Sequence, residues 1–274
     1  MKLGQTQELE VVRIVDFGAY LGTVKEQVLL PKKQVPVGAK VGDMMEVFVY
    51  RDSEDRLIAT VNQPLAKVGE TALLTVKDVS KNGAYLDWGL EKDLFLPFKE
   101  QVVKVQPGDL VLVGVYIDKS NRICATMKVY EYLSCNSTHA AEEIVHGTVY
   151  HYNPQYGAFV AVDNKYHGLI QQKELITGLS IGQQVEARVI SVRPDGKMDL
   201  SLRKKAYLQI EEDAEKIYCI IQELGGRLEY TDKASPEIIR RDFQMSKNEF
   251  KKAIGRLLKE NRISIGENSI FLLK

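Results

Sequence analysis

Three landmarks recur three times along this chain, in the same order and at nearly the same spacing. The first is a glycine beside aromatic residues: Gly18 in DFGAYLG, Gly83 in KNGAYLDWG and Gly157 in QYGAFVAVD. The second follows 13, 14 and 14 residues later, at Pro31 in VLLPKKQV, Pro97 in LFLPFKEQ and Gln171 in GLIQQKEL. The third comes a further 25, 25 and 26 residues on, at Arg56 in RLIATV, Arg122 in RICATM and Lys197 in KMDLSL. Between the last two stands VGDMMEVFVY, PGDLVLVGVY or IGQQVEARVI. Order and spacing kept through three passes mean that one module is repeated, and each copy must fold alike.

Within a copy the pattern is that of strands. QELEVVRIV, ETALLTVKDV and EIVHGTVYHY alternate or cluster β-branched residues, and Gly or Pro punctuates the runs that follow. About five short strands in some sixty residues, with no helical period, predict a small closed barrel of the five-stranded OB type. A glycine inside the second strand suits a barrel, where a strand coils too tightly for a side chain at the bend.

The third copy, GTVYHYNPQYGAFVAVDNKYHGLIQQKEL followed by IGQQVEARVISVRPDGKMDLSL, resembles the RNA-binding repeat of ribosomal protein S-one; the first two copies resemble it more distantly. In that family two aromatics on the exposed face of strands two and three, a histidine and a basic residue opening the last strand contact RNA. By position the resemblance implies Phe17 and Tyr20 as the aromatics of copy one, Tyr85 alone in copy two, where Asn82 takes the other place, and Tyr156 and Phe159 in copy three. The basic position falls on Arg56, Arg122 and Lys197. The histidine position departs in every copy, being Pro31, Pro97 and Gln171, which removes one contact the family makes.

The residues support this reading on physical grounds. An aromatic face stacks on any base, contributing about 1–3 kcal/mol without reading sequence, and a nearby Arg or Lys attracts phosphate. Residues 17 and 20, or 156 and 159, differ by three, so a regular strand would place them on opposite faces. The intervening glycine permits a bulge that brings both rings to one surface; the alternative is one ring inside the barrel and one alone outside.

Beyond LSLRKK the pattern changes. YLQIEEDAEKIYCIIQELGG carries Leu208, Ala214, Ile217, Ile220, Ile221 and Leu224 at helical spacing and stops at Gly225-Gly226. Ser235 before Pro236 caps a second helix, and Ser246 with Glu249 forms the capping box of a third, running to about Asn261. RISIGENSIFLL then reads as a hairpin. Three helices and a hairpin resemble a winged helix, whose third helix meets a partner. On that helix Phe250, Ala253, Ile254, Leu257 and Leu258 form the core stripe, while Lys252, Arg256 and Lys259, with Lys251 close by, share the opposite face. That face is either a solvated helix surface or a nucleic-acid contact.

Composition narrows the function classes. Lys plus Arg equals Asp plus Glu at 37 each, so any polyanion site must be local. The 3 cysteines, Cys124, Cys135 and Cys219, fit neither a disulfide framework nor a zinc ribbon. No phosphate loop, nucleophile elbow or HExxH is present, and His146 and His151 alternate faces of a strand, so no cofactor, metal or catalytic residue is expected. With no apolar run of membrane-spanning length and no signal-like N-terminus, the expectation is a cytoplasmic protein with no membrane partner. Trp88 either covers a barrel mouth or supplies the stacking surface that Asn82 does not. The Ser/Asn-containing stretch Glu131 to Glu143 reads as a linker that lets copies two and three move.

The expected architecture is therefore mainly β plus α: OB-type barrels over 1–64, 65–134 and 141–204, then a winged-helix domain over 205–274. This domain order resembles the conserved virulence factor B family of bacterial RNA-binding regulators, whose first two repeats carry the L-L-P turn seen at Leu30-Pro31 and Leu96-Pro97. The resemblance implies non-catalytic binding of single-stranded RNA that regulates the expression of other genes, here through the third barrel and the winged helix. The rival readings are a DNA-binding regulator that uses the winged helix and a protein-binding scaffold. The sequence leaves the oligomeric state open.

Overall fold

A computed structural model describes residues 1–175, 178–202 and 206–273, and for residues 206–209 the backbone only. The chain divides into two compact units, Met1–Leu202 and Arg203–Lys274.

The first unit contains three closed five-stranded barrels. Barrel one is built from β1 (Thr6–Val15), β2 (Gly18–Gly22), β3 (Gln27–Pro31), β4 (Met44–Arg51) and β5 (Leu57–Thr60), ordered β1-β2-β3-β5-β4. Barrel two uses β6 (Thr71–Ser80), β7 (Gly83–Asp87), β8 (Leu94–Pro97), β9 (Leu110–Ile117) and β10 (Ile123–Thr126); barrel three uses β11 (Ile144–Asn153), β12 (Gly157–Val162), β13 (Tyr166–Gln171), β14 (Gln184–Val192) and β15 (Met198–Ser201). In each barrel the third strand pairs in parallel with the fifth, which closes the sheet. Closure removes the free edges that a small sheet would otherwise expose.

The glycine landmark is required by close approach. A Cβ at Gly18, Gly83 or Gly157 would collide with the carbonyl oxygen of Leu30, Leu96 or Ile170 on the neighbouring strand, and Gly157 also has φ +118. The bulge itself lies on the first strand of each barrel, not at the glycine. Pairing shifts between Val11 and Arg13, between Val76 and Asp78, and between Val149 and His151. The extra residue tightens the local twist that bends the strand around the barrel.

Barrels one and two share a core. Phe48 and Tyr50 pack with Trp88, Leu90 and Ala66. Trp88 is 3% exposed, its ring 5.7 Å from that of Phe48 and its Nε1 donating to the Lys92 carbonyl. Buried between the two barrels, it offers no open stacking surface for a base.

Barrels two and three are also joined. Leu112, Val129 and Leu133 pack against Tyr150 and Ala161, with Leu73 and Phe159 at the edge. The segment expected to be a mobile linker is ordered against barrel three. Ser134 donates to the Lys165 carbonyl and accepts from the His167 amide, and His139 is bracketed by Glu143 at 2.8 Å and Asp163 at 2.7 Å. Its polar side chains find partners in the fold, so polarity there does not signal freedom.

The second unit has α1 (Ala206–Glu223), a short β16 (Arg227–Leu228), α2 (Pro236–Phe243), α3 (Lys247–Lys259), β17 (Ile263–Ile265) and β18 (Ile270–Leu272), with sheet order β16-β18-β17. Ser235 caps α2, and Ser246 with Glu249 closes both bonds of the capping box on α3. The core holds Ile217, Ile221, Ile239, Phe243, Phe250, Ile254 and Leu257. Leu258 and Leu224, read from the sequence as apolar helix residues facing inward, are 38% and 57% exposed. Leu258 lies at the margin of the stripe, and Leu224 falls just past the end of α1. The side chain of Leu208 lies outside the described residues.

Candidate nucleic-acid interface

One row of residues crosses the outer face of each barrel at the bulge. In barrel one it runs Arg13, Tyr20, Leu29, Ile58; in barrel two Asp78, Tyr85, Phe95, Cys124; in barrel three His151, Phe159, Leu169, Asp199. The second aromatic of each pair thus occupies one structural position in all three copies. The first aromatic sits in the turn before the second strand. It escapes the alternation of the pleat, so both rings of a pair can reach one surface.

In barrel one they do. Phe17 and Tyr20 meet edge to face at 6.3 Å, Phe17 is 58% exposed, and the Arg13 guanidinium lies 4.5 Å from the centre of the Tyr20 ring. The Lys32 amide donates to the Phe17 carbonyl, which holds the turn carrying Lys32 and Lys33 next to Phe17; neither lysine makes an ion pair among the described residues. Arg13, Lys32 and Lys33 were missed from the sequence. Lys32 was findable, since it directly follows the Pro31 landmark.

In barrel two Tyr85 contacts Phe95 at 5.4 Å. Phe98, the counterpart of Lys32, is 49% exposed, and its amide donates to the Asn82 carbonyl. An aromatic therefore stands beside Asn82 after all, supplied from the next turn.

In barrel three Tyr156 is exposed, while Phe159 is half-buried against His151 at 5.5 Å and Tyr150 at 6.2 Å. Among the described residues no ring contact joins Tyr156 to Phe159. Gln171 donates to Asp199 at 3.3 Å, and Arg193 forks onto Asp199 at 3.1 and 2.5 Å. Those bonds, led by the one from Arg193, hold the Asp199 carboxyl below its usual range.

The three basic positions are all engaged. Arg56 forms a bidentate pair with Asp52 and contacts Glu54 at 2.9 Å; Arg122 pairs with Asp55 at 2.9 Å. Both guanidinium groups remain largely exposed, and such pairs exchange readily for phosphate. Lys197 differs. Its ammonium lies 3.2 Å from the Tyr130 hydroxyl and 3.4 Å from Asp195. Gly168 pairs with Met198 and His167 with Ala161, so Lys197 lies level with Ala161, five residues and roughly 16 Å along the sheet from Tyr156. The expected grouping of Lys197 with Tyr156 and Phe159 does not form. Beside it His167 is buried, and burial followed by the Lys197 charge lowers the imidazole pKa.

On α3, Lys251, Lys252 and Lys259 are exposed and Arg256 half-exposed. Lys251 lies 3.8 Å from Asp232, and Arg256 is bonded to Glu260 and Glu211. Lys252 and Lys259 make no ion pair among the described residues. No helix of the described residues is long and apolar enough to cross a membrane.

Family models match in succession along the chain. A model described as an S1 domain matches residues 3–62 and 68–128, one described as the second domain of virulence regulatory factor CvfB matches 132–204, and a CvfB-like winged helix domain matches 215–272. The chain is 31% identical over 274 residues to YitL of Bacillus subtilis (strain 168), covering 96% of this chain and 91% of that protein. It is 29% identical over 245 residues to conserved virulence factor B of Staphylococcus aureus (strain USA300), covering 86% and 81%. A crystal structure of a multidomain protein with nucleic acid binding domains from Streptococcus pneumoniae matches with TM-score 0.54 and 25% identity, over 99% of this chain and 98% of that one.

Proposed function

The chain belongs to the conserved virulence factor B family, and from that premise we propose that it is a non-catalytic cytoplasmic protein that binds single-stranded RNA with little sequence preference and so regulates gene expression. The observation that carries this reading is the Arg13, Tyr20 and Phe17 cluster. It combines stacking rings with a cation on an open barrel face, the two components that hold an unpaired strand. Barrel three adds Tyr156 and the edge of Phe159. The ammonium groups of Lys252 and Lys259 on α3 attract phosphate without first leaving an acidic partner.

Fluorescence anisotropy with labelled oligouridine at two salt concentrations tests the proposal. Affinity should fall with salt in proportion to the phosphates neutralised. It should fall again in Tyr156→Ala and in the Tyr156→Ala/Phe159→Ala double variant, with Tyr156→Ala the cleaner of the two because Tyr156 lies outside the core. No binding at low salt overturns the reading. Tighter binding of duplex DNA in direct competition would favour a DNA-binding regulator instead.

A further inference from the structure

Between barrels one and two lies a groove of about 590 Å³. That falls within the range of sites for small ligands, roughly 300–1,000 Å³. Its floor is Tyr85 on Phe95, and Trp88 lies at its base. One wall is the turn between β4 and β5, contributed by the neighbouring barrel, and the other is the loop between β7 and β8.

Three contacts fix the walls. Arg51 Nε donates to the Asn121 carbonyl at 3.0 Å, Lys92 Nζ donates to the Asp52 carbonyl at 2.6 Å, and Arg122 pairs with Asp55 at 2.9 Å. Behind them the shared core of Phe48, Tyr50 and Trp88 resists opening. A groove held in this way is ordered before its ligand arrives, which lowers the entropy lost on binding.

Its polar groups divide into engaged and free. Asp55 is tied to Arg122 and Lys92, and Asp93 to Lys77 at 2.7 Å. Among the described residues Glu91 and the Asn82 side chain have no hydrogen-bond or ionic partner. The groove therefore combines an aromatic floor, an unpaired carboxylate acceptor and an exposed guanidinium at its rim. A base lying flat on Tyr85 turns its edge toward a wall. Guanine alone among the four RNA bases offers two adjacent N–H donors on one edge, which a carboxylate accepts with both oxygens.

We propose that this inter-barrel groove is a guanine site: it takes one guanine of a bound RNA strand, stacked on Tyr85, with its N1–H and N2–H edge on Glu91 and an adjacent phosphate at Arg122. The inference rests on the reading of the chain as an RNA-binding protein and adds to it a single base-selective position. The rest of the strand is held without regard to sequence.

Trp88 is the only tryptophan of the chain and lines this groove, so emission changes on binding come from the groove and the core beneath it. The full chain is titrated with short oligouridine and with the same oligomer carrying one central guanosine, followed by Trp88 emission and by calorimetry. The guanosine oligomer should bind about tenfold more tightly and change the Trp88 signal. Glu91→Gln, at an exposed position, should abolish that preference while leaving oligouridine binding unchanged. Tyr85→Ala should remove the Trp88 response. Equal affinity for the two oligomers, or a preference that survives Glu91→Gln, overturns the site. If oligouridine still binds in that case, the proposed function stands and only the groove fails; if neither oligomer binds, both fall.

Discussion

The ammonium of Lys197 lies 3.2 Å from the hydroxyl of Tyr130, 67 residues earlier in the chain. The cation is also 5.7 Å from the centre of that ring. It holds the segment leaving barrel two against barrel three, at the end of the sheet remote from Tyr156. The hydrogen bond to Tyr130 is the main cause of its raised pKa.

Lys197→Ala should consequently leave RNA affinity within about twofold and the salt slope nearly unchanged, since a true phosphate contact contributes about one to that slope. The same variant should expose residues 130–134 to faster amide exchange. Anisotropy at several salt concentrations and hydrogen-exchange mass spectrometry check the two halves.

Arg13→Gln should lower the salt slope by about one, because Arg13 carries its charge beside an open ring and makes no ion pair among the described residues. Tyr20→Ala should cost about 1–3 kcal/mol of binding. If neither change affects oligouridine affinity, barrel one is not a platform.

Two glycines should respond with opposite signs to alanine. Gly157→Ala meets the Ile170 carbonyl and adds a side chain at φ +118, so barrel three should lose at least about 3 kcal/mol. Gly255 in α3 has open space around it, and Gly255→Ala should stabilise the second unit by about 0.5–1 kcal/mol by favouring the helix. Urea denaturation monitored by circular dichroism reads both.

His139 makes the hold of residues 131–143 on barrel three depend on pH. Burial opposes its charged form, but bonds to Glu143 and Asp163 and the charges of both outweigh it, and its pKa is raised above 6.5. Tyr166 packs edge-on against the same ring. A raised folded-state pKa stabilises fully below the unfolded value and is lost as pH rises through the folded one. Glu143 is shifted the other way: the bond from the Ala140 amide, then that from His139, lowers its pKa, so its contribution is lost as pH falls through that value. Residues 131–143 should be best protected from proteolysis in mildly acidic buffer and should loosen as pH rises above the His139 pKa. His139→Gln should remove the alkaline limb.

The repeat, the barrels and the helix caps were legible because their causes are local. A Ser-x-x-Glu box and a run of β-branched residues act within a few positions of themselves, and the glycine facing the next strand of its own barrel recurs at fixed spacing, so Gly18, Gly83, Gly157, Ser235 and Ser246 could be placed from the sequence. The second aromatic of each pair, at Tyr20, Tyr85 and Phe159, was legible for the same reason. What no local pattern encodes is which outer faces the barrels cover on one another. Packing of barrel one on barrel two buried Trp88 and placed Tyr85 in the groove between them. Packing of barrel two on barrel three drew Phe159 partly inward and gave Lys197 to Tyr130. Bulges at Val12, Lys77 and Tyr150 set Arg13 over Tyr20 but His151 beside Phe159. These contacts join residues tens of positions apart, and only the closed tertiary structure decides which copy of a repeated motif keeps its rings and cations open.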